Sequence, residues 1–307
     1  MAVKEYDIVI IGGGPAGLAA ALYAARARRS TVVIEKNVTG GQIALTSEIE
    51  NYPGIDMING FDLGQAMQKQ AEKYGAEMAY VAVTSIEPQE GGHLIRTDDG
   101  DFMAKAVIVT SGADYNKLGV PGEERLVGHG VSYCGTCDAA FFKEQEVAVV
   151  GGGDAAMDEG LFVSRYASKV HVIHRRDSLR ASAVLQERAF ANEKMNFIWD
   201  TVVDSIDGED DVTSVHLRNL KNGEEEDFPI DGVFIFIGQT PNSGFIEGLL
   251  KTDNGGHVIV NEWMETSVPG IFAAGDIRNN SARQVVASAG DGATAAIRAD
   301  HYISNHF

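Results

Sequence analysis

The chain has 307 residues, enough for about two domains, and its 44% apolar and 22% charged residues are ordinary for a folded protein in water. The formal net charge of −19 opposes binding to nucleic-acid phosphate or to an anionic membrane surface, and a solvated acidic exterior accounts for it. No apolar run reaches the roughly 18 residues of a membrane helix. A strand begins almost at the first residue, which leaves no room for a secretory signal, so the cytoplasm is the expected location. The two cysteines, Cys134 and Cys137, are too few for a disulfide scaffold. Their spacing fits a redox pair or half of a metal site. There is no second Cys-x-x-Cys and the eight histidines form no ligand pattern around the first, so no metal is expected.

Residues 7–11 (DIVII) form a β-branched run that predicts a buried strand. It leads into Gly12, Gly13, Gly14, Pro15, Ala16 and Gly17, then an alanine-rich helix to Arg28, then a strand over 31–34 ending at Glu35. Strand, glycine turn, helix, strand and terminal acid make a dinucleotide-binding pattern. Gly12 permits the sharp turn, Gly14 lets the backbone approach a pyrophosphate, and Gly17 lets helix and strand pack closely. The helix N-terminus then faces the phosphates with its partial positive charge. Glu35 can accept hydrogen bonds from ribose hydroxyls and would repel a 2′-phosphate, so FAD or NAD fits there and NADP does not.

Surface loops carrying Gly41, Gln42 and Asn51 follow, then a helix over 61–74, strands over 80–87 and 92–97, and a buried strand over 106–110. A connector at 116–122 precedes the cysteine stretch. Next comes a strand over 146–150 and a second glycine turn, Gly151, Gly152, Gly153, Asp154, Ala155 and Ala156. This repeats the first pattern. The offset that carries Gly12 to Gly151 carries Glu35 to His174, the start of His174-Arg175-Arg176-Asp177, with Arg180 one helical turn on. Guanidiniums replace a carboxylate at the adenosine ribose, which is the chemistry of 2′-phosphate recognition and predicts NADP(H). Strand-like alternation spans 197–218, the acidic run 224–227 suggests a solvated hairpin end, and a strand over 231–238 closes this region. A second connector at 239–242 leads to strands at 258–260 and 271–276 and a helix beginning near Arg283, Gln284 and Val285. The expected fold is α/β, with two Rossmann-like nucleotide-binding domains of the three-layer ββα type, the second inserted in the first. The first domain, whose turn fits FAD or NAD, spans 1–115 and 246–307, and the second, with the NADP(H) pattern, spans 116–245.

Taken together, the Gly12-to-Gly17 turn, Gly41-Gln42, the Asn51-Tyr52-Pro53-Gly54 loop, Cys134-Gly135-Thr136-Cys137-Asp138, the second glycine turn, His174 to Ala181, Gly275-Asp276 and Arg283-Gln284-Val285 resemble the bacterial low-molecular-weight thioredoxin reductases over essentially the whole chain. The resemblance implies a homodimeric flavoenzyme that passes electrons from NADPH to FAD, to its own Cys134–Cys137 disulfide, and on to thioredoxin. It implies that Cys137 faces the flavin, Cys134 attacks the client disulfide and Asp138 is the general acid. It implies FAD contacts from Gly13 to Ala16, Glu35, Gly41, Gln42, Asn51, Asp276 and Arg283 to Val285, and NADPH contacts from Asp154, Arg175, Arg176 and Arg180. One departure is Gln239, where some members carry histidine.

Asp138 has a plain alternative role as the N-cap of a helix over 138–143, ahead of which Cys137 would sit. As an acid it needs a raised pKa from partial burial. The dithiol and the second glycine turn share the inserted domain while the flavin site lies in the other. That arrangement predicts rotation about linkers near 113–121 and 238–245. Other readings are a flavin disulfide reductase with a different client, a ferredoxin-driven enzyme, which the arginines oppose, and a redox-sensing module holding FAD structurally.

Overall fold

The computed structural model describes residues 3–46 and 49–307. Two compact units emerge, Met1–Asp114 with Thr240–Phe307, and Tyr115–Gln239. The chain is back in the first unit by Thr240, earlier than the residue 246 read from the sequence. Asn242 N–H donates to Gly112 O (3.0 Å) and the Ser111 hydroxyl donates to Asn242 O (2.9 Å).

The first unit opens with β1 (Lys4–Ile11), α1 (Pro15–Arg26) and β2 (Thr31–Glu35). Then come α2 (Gly60–Glu72), β3 (Glu77–Tyr80), β4 (Val83–Gln89), β5 (Gly92–Thr97) and β6 (Phe102–Val109). β1 lies between β2 and β6, parallel to both, with Ile8 opposite Thr31 and Ala106. The first half of β6 pairs antiparallel with β5, and β5 with β4, making a meander beside the parallel strands. Ile8 and Ile10 face one apolar cluster with the α1 alanines, and Val9 and Ile11 face another with Ile95 and Ile246. A strand covered on both faces reads as an unbroken apolar run, which is why residues 8–11 do not alternate.

The chain leaves by β7 (Ala113–Tyr115). The second unit contains β8 (Val131–Ser132), α3 (Gly135–Asp138), β9 (Glu146–Val150), α4 (Asp154–Val163), β10 (Lys169–Ile173), α5 (Ala183–Phe190) and β11 (Met195–Ile198). Then follow β12 (Thr201–Asp207), β13 (Ser214–Asn219), β14 (Glu225–Pro229) and β15 (Gly232–Ile235). The order β11-β10-β9-β15-β8 is a parallel sheet, and β12-β13-β14 an antiparallel one. Val147, Val149 and Val172 pack under the helices with Met157, while Ala148, Val150 and Ile173 pack against Val203, Val215 and Leu217 of the antiparallel sheet. This is the expected helix–sheet–sheet layering.

The chain returns through β16 (Gln239–Pro241), which pairs with β7, and ends with β17 (Ile271–Ala273), parallel to β6, and α6 (Val285–His306). Two local expectations are corrected. The acidic run 224–227 is mostly strand, an exposed edge where Glu225 and Asp227 meet His216. Charge on an edge strand keeps it from pairing with other chains. Residues 258–260 are no strand. Val258 is buried and makes isolated bridges to Thr252 and Arg278.

Candidate active site

The two glycine turns are built alike. Gly12 has φ +113, and a Cβ there would lie 2.3 Å from Thr110 O. A Cβ on Gly17 would lie 1.9 Å from Gly12 O, so α1 meets β1 too closely for any side chain. Pro15 starts α1, where a missing N–H costs nothing. Gly14 differs. A Cβ there would meet only Gly40 O at 3.9 Å, so the fold itself does not require glycine. The space it leaves open lies at the N-terminus of α1, where the expected pyrophosphate belongs, and the residues fit that group. Glu35 accepts from Gly13 N–H (2.7 Å) and Asn37 N–H (2.8 Å), which fixes its carboxylate at the turn.

The other residues expected to hold FAD collect around the same end of the unit. Gly40 N–H donates to Gly13 O (2.9 Å), and a Cβ on Gly41 would touch Gly14 Cα at 3.3 Å. Asn51 donates to Gln284 Oε1 (3.2 Å) and Gln42 to Asp114 (2.7 Å). α6 crosses the first turn of α1 so closely that a Cβ on Gly292 would lie 2.0 Å from Ala16 O. Asp276 accepts from the Ser281 hydroxyl (2.7 Å), and the same hydroxyl accepts from Arg283 N–H (3.2 Å). Val285 opens α6 behind the cap residue Gln284.

In the second unit, Gly151 has φ +151 with Phe236 O 2.4 Å from a would-be Cβ, and Ala156 takes the packing position that Gly17 holds in the first turn. Gly153 matches Gly14 in being open, with Arg180 Nη2 the nearest atom at 3.8 Å. Arg180 N–H donates to Gly152 O (2.7 Å) and Ser182 N–H to Asp154 Oδ1 (2.6 Å), so the basic segment folds over the turn beside Ala155. Arg175, Arg176 and Arg180 are exposed, and none pairs with a carboxylate among the described residues, although acids outnumber bases in the chain. Arg180 at the glycine turn, with the exposed guanidiniums of Arg175 and Arg176 in the same segment, suits a phosphorylated ligand. His174 turns the other way. It is buried, its ring would meet a Cβ on Gly152 at 2.3 Å, and its Nε2 has no partner among the described residues. Burial, with the three arginine charges, lowers its pKa and keeps it neutral.

Cys134 and Cys137 are joined in a disulfide. The helix starts earlier than expected. Cys134 is the cap of α3 and Cys137 lies inside it, so the N-terminal end of the turn falls on Cys134 and not behind Cys137. Asp138 caps nothing with its side chain. Its Oδ2 accepts from the Ser132 hydroxyl at 2.5 Å, and its N–H donates to Cys134 O at 3.2 Å. Burial raises its pKa and the Ser132 hydrogen bond opposes that, leaving a net upward shift, the direction a proton donor needs.

Sequence reasoning missed three supports of this turn. Ser132 also accepts from Cys134 N–H (3.1 Å). Glu159, reaching over from α4, accepts from Thr136 N–H (3.0 Å), and a Cβ on Gly135 would displace its carboxylate. Glu123 is buried and accepts from Leu118 N–H (2.9 Å), Gly119 N–H (2.7 Å) and the Tyr133 hydroxyl (2.8 Å). Tyr133 stacks on Tyr115 with ring centres 5.3 Å apart, and burial with the nearby Glu123 pushes its pKa far up. The only signal for Glu123 was an acid following the Pro121-Gly122 turn. Gln239, on the returning linker, has its Oε1 shielded and unpartnered among the described residues.

Residues 6–292 match the family model for pyridine nucleotide-disulphide oxidoreductases. A protein named thioredoxin reductase from Bacillus subtilis (strain 168) is 48% identical over 98% of this chain and 95% of its own length. One of the same name from Listeria innocua is 47% identical over 98% of this chain and 94% of its own. The crystal structure of thioredoxin reductase from Streptococcus pyogenes MGAS5005 superposes with a TM-score of 0.95 at 46% identity, covering 99% of this chain and 100% of that one.

Proposed function

We propose, because the chain belongs to the pyridine nucleotide-disulphide oxidoreductase family, that it is a thioredoxin-disulfide reductase using NADPH and FAD. The observation that carries this reading is the Cys134–Cys137 disulfide with Asp138 beside it, in the same unit as a glycine turn that Arg180 folds against, with Arg175 and Arg176 exposed in the same segment and none of the three paired with a carboxylate among the described residues. FAD, when bound, supplies the conversion between two-electron hydride chemistry and thiolate–disulfide exchange. Once the pair is reduced, the Cys134 thiolate attacks the client disulfide and forms a mixed disulfide. The client thiolate that leaves takes a proton from Asp138. Cys137 then attacks Cys134 Sγ, which re-forms the internal disulfide and frees the second client thiolate. The raised pKa of Asp138 fits that donor role, and the lost activity as pH rises should track its ionisation.

Arg175 and Arg176 are the groups we assign to the 2′-phosphate, and Glu35 to the FAD ribose. Arg175→Ala combined with Arg176→Ala should raise the KM for NADPH by about a hundredfold and leave that for NADH nearly unchanged. An unchanged NADPH preference in steady-state assays would move the phosphate site elsewhere.

The cycle needs the NADPH unit to change its orientation, because the dithiol and the second glycine turn travel together. Gly112 and Gly238 both have positive φ, +66 and +107, at the ends of the paired linkers. Residues 115–123 are tied into the second unit by the Tyr115–Tyr133 stack and Glu123. We therefore narrow the pivot to residues 112–114 and 238–240. A crosslink between the units should stop steady turnover, and normal turnover in the locked protein would rule the pivot out. No helix among the described residues is long and apolar enough to cross a membrane. Our reading includes a cytoplasmic homodimer. The whole proposal is tested by NADPH-driven reduction of thioredoxin in an insulin-coupled assay, where a rate no higher than without NADPH overturns it.

A further inference from the structure

The Ser132 side chain joins the acid to the backbone of the attacking cysteine. It lies buried on β8, which pairs with β15 (Ser132 opposite Phe234), so its position is set by the sheet and not by the cysteine turn. Its Oγ lies 2.5 Å from Asp138 Oδ2, 3.2 Å from Cys134 O and 3.1 Å from Cys134 N. The Cys134 N–H is a donor and takes one lone pair of the hydroxyl. The hydroxyl owns a single hydrogen, and two acceptors lie within its reach.

From this arrangement, which rests on the functional reading above, we infer that Ser132 is the positioning residue of the proton donor, turning its hydroxyl between Asp138 and the Cys134 carbonyl as Asp138 releases and regains its proton. While Asp138 is protonated, its O–H donates to Ser132 Oγ and the Ser132 hydrogen points to Cys134 O. When the client S–S bond breaks and the Cys134–client bond forms, the leaving thiolate takes the Asp138 proton. The Ser132 hydrogen then swings to the new carboxylate at Oδ2. No group on either side is left unpaired, and the carboxyl stays beside Cys134 in both states. Reprotonation from solvent resets the pair.

The test is the pH dependence of kcat/KM for NADPH-driven thioredoxin reduction, together with the rate at which the pre-reduced protein reduces cystine. NADPH-driven reduction of a small dye that takes electrons from the flavin serves as the folding control. Removing a hydrogen bond to the carboxylate form raises the pKa of Asp138 further. The alkaline limb of both profiles in Ser132→Ala should therefore move up by about one pH unit, and the plateau should fall about tenfold, with dye reduction unchanged. Ser132→Thr keeps the hydroxyl and should keep the wild-type limb. In an Asp138→Asn background, Ser132→Ala should have no further effect on the limb. A uniform fall with the wild-type profile, a shifted limb in Ser132→Thr, or an undiminished effect in Asp138→Asn would overturn the assignment. Wild-type protein that reduces cystine but not thioredoxin would sink the client reading alone, and the cystine profile would still decide the role of Ser132.

Discussion

Replacing Cys134 or Cys137 by serine should lower thioredoxin reduction by at least about a thousandfold while the protein stays yellow and still passes electrons from NADPH to a dye. Each half of the pair does work the other cannot. Without Cys134 no thiolate is held at the cap of α3 to attack a client. Without Cys137 nothing resolves the mixed disulfide, so the protein accumulates as a covalent adduct. The residues we assign to holding FAD belong to the other unit, so both variants should retain it. Absorbance spectra and dye reduction check retention, and an insulin-coupled assay checks the loss. Appreciable thioredoxin reduction by either variant would remove the dithiol from the route.

Gly14→Ala and Gly17→Ala should fail in opposite ways. At Gly17 the new methyl would stand 1.9 Å from Gly12 O and 2.8 Å from Thr110 Oγ1. Backbone of β1 and α1 must separate, at a cost above about 3 kcal/mol, and the first unit should lose its cooperative melting along with its flavin. At Gly14 the methyl meets only Gly40 O at 3.9 Å, and φ of −77° suits alanine. Its apoprotein should unfold within about 1 kcal/mol of wild type. FAD affinity should nonetheless fall at least about tenfold, because the methyl fills the space at the helix N-terminus that a phosphate would occupy. Denaturant melts of the apoproteins and flavin titrations separate the two. A Gly14→Ala protein with full FAD affinity would mean that the pyrophosphate lies elsewhere.

Much of the architecture was legible because it is repeated. Two glycine turns, each after a β-branched strand and before a helix, located both units, and their common offset pointed to the arginine segment. His174 shows the limit of that register. The offset put it at the ribose position, yet its ring turns inward over Gly152, because an apolar neighbourhood with Trp199 is available and the outward places belong to the arginines. Asp138 had the residue type and position of an N-cap. Its carboxyl went instead to Ser132, a contact six residues back across a non-periodic turn that no sequence pattern announces. A helix start at Asp138 was expected, yet α3 begins at Gly135, a residue with low helix propensity in a turn held by Glu159. Glu159, on another helix, accepts from Thr136 N–H, and such tertiary capping is visible only once α4 is seen against the turn. The acidic run expected at a solvated hairpin end extends into β14, because charge hides the alternation of an exposed edge strand.

One anaerobic measurement tests the electron relay most directly. Purified protein is mixed with excess oxidised thioredoxin and a limited amount of NADPH, and the thiols that appear on thioredoxin are counted against the NADPH consumed. About two thiols per NADPH are expected, since one hydride carries the electrons for one disulfide, and none should appear with Cys134→Ser. NADPH consumed without thioredoxin thiols, or the same thiol yield from Cys134→Ser, would contradict a relay that leaves the protein through the Cys134–Cys137 pair.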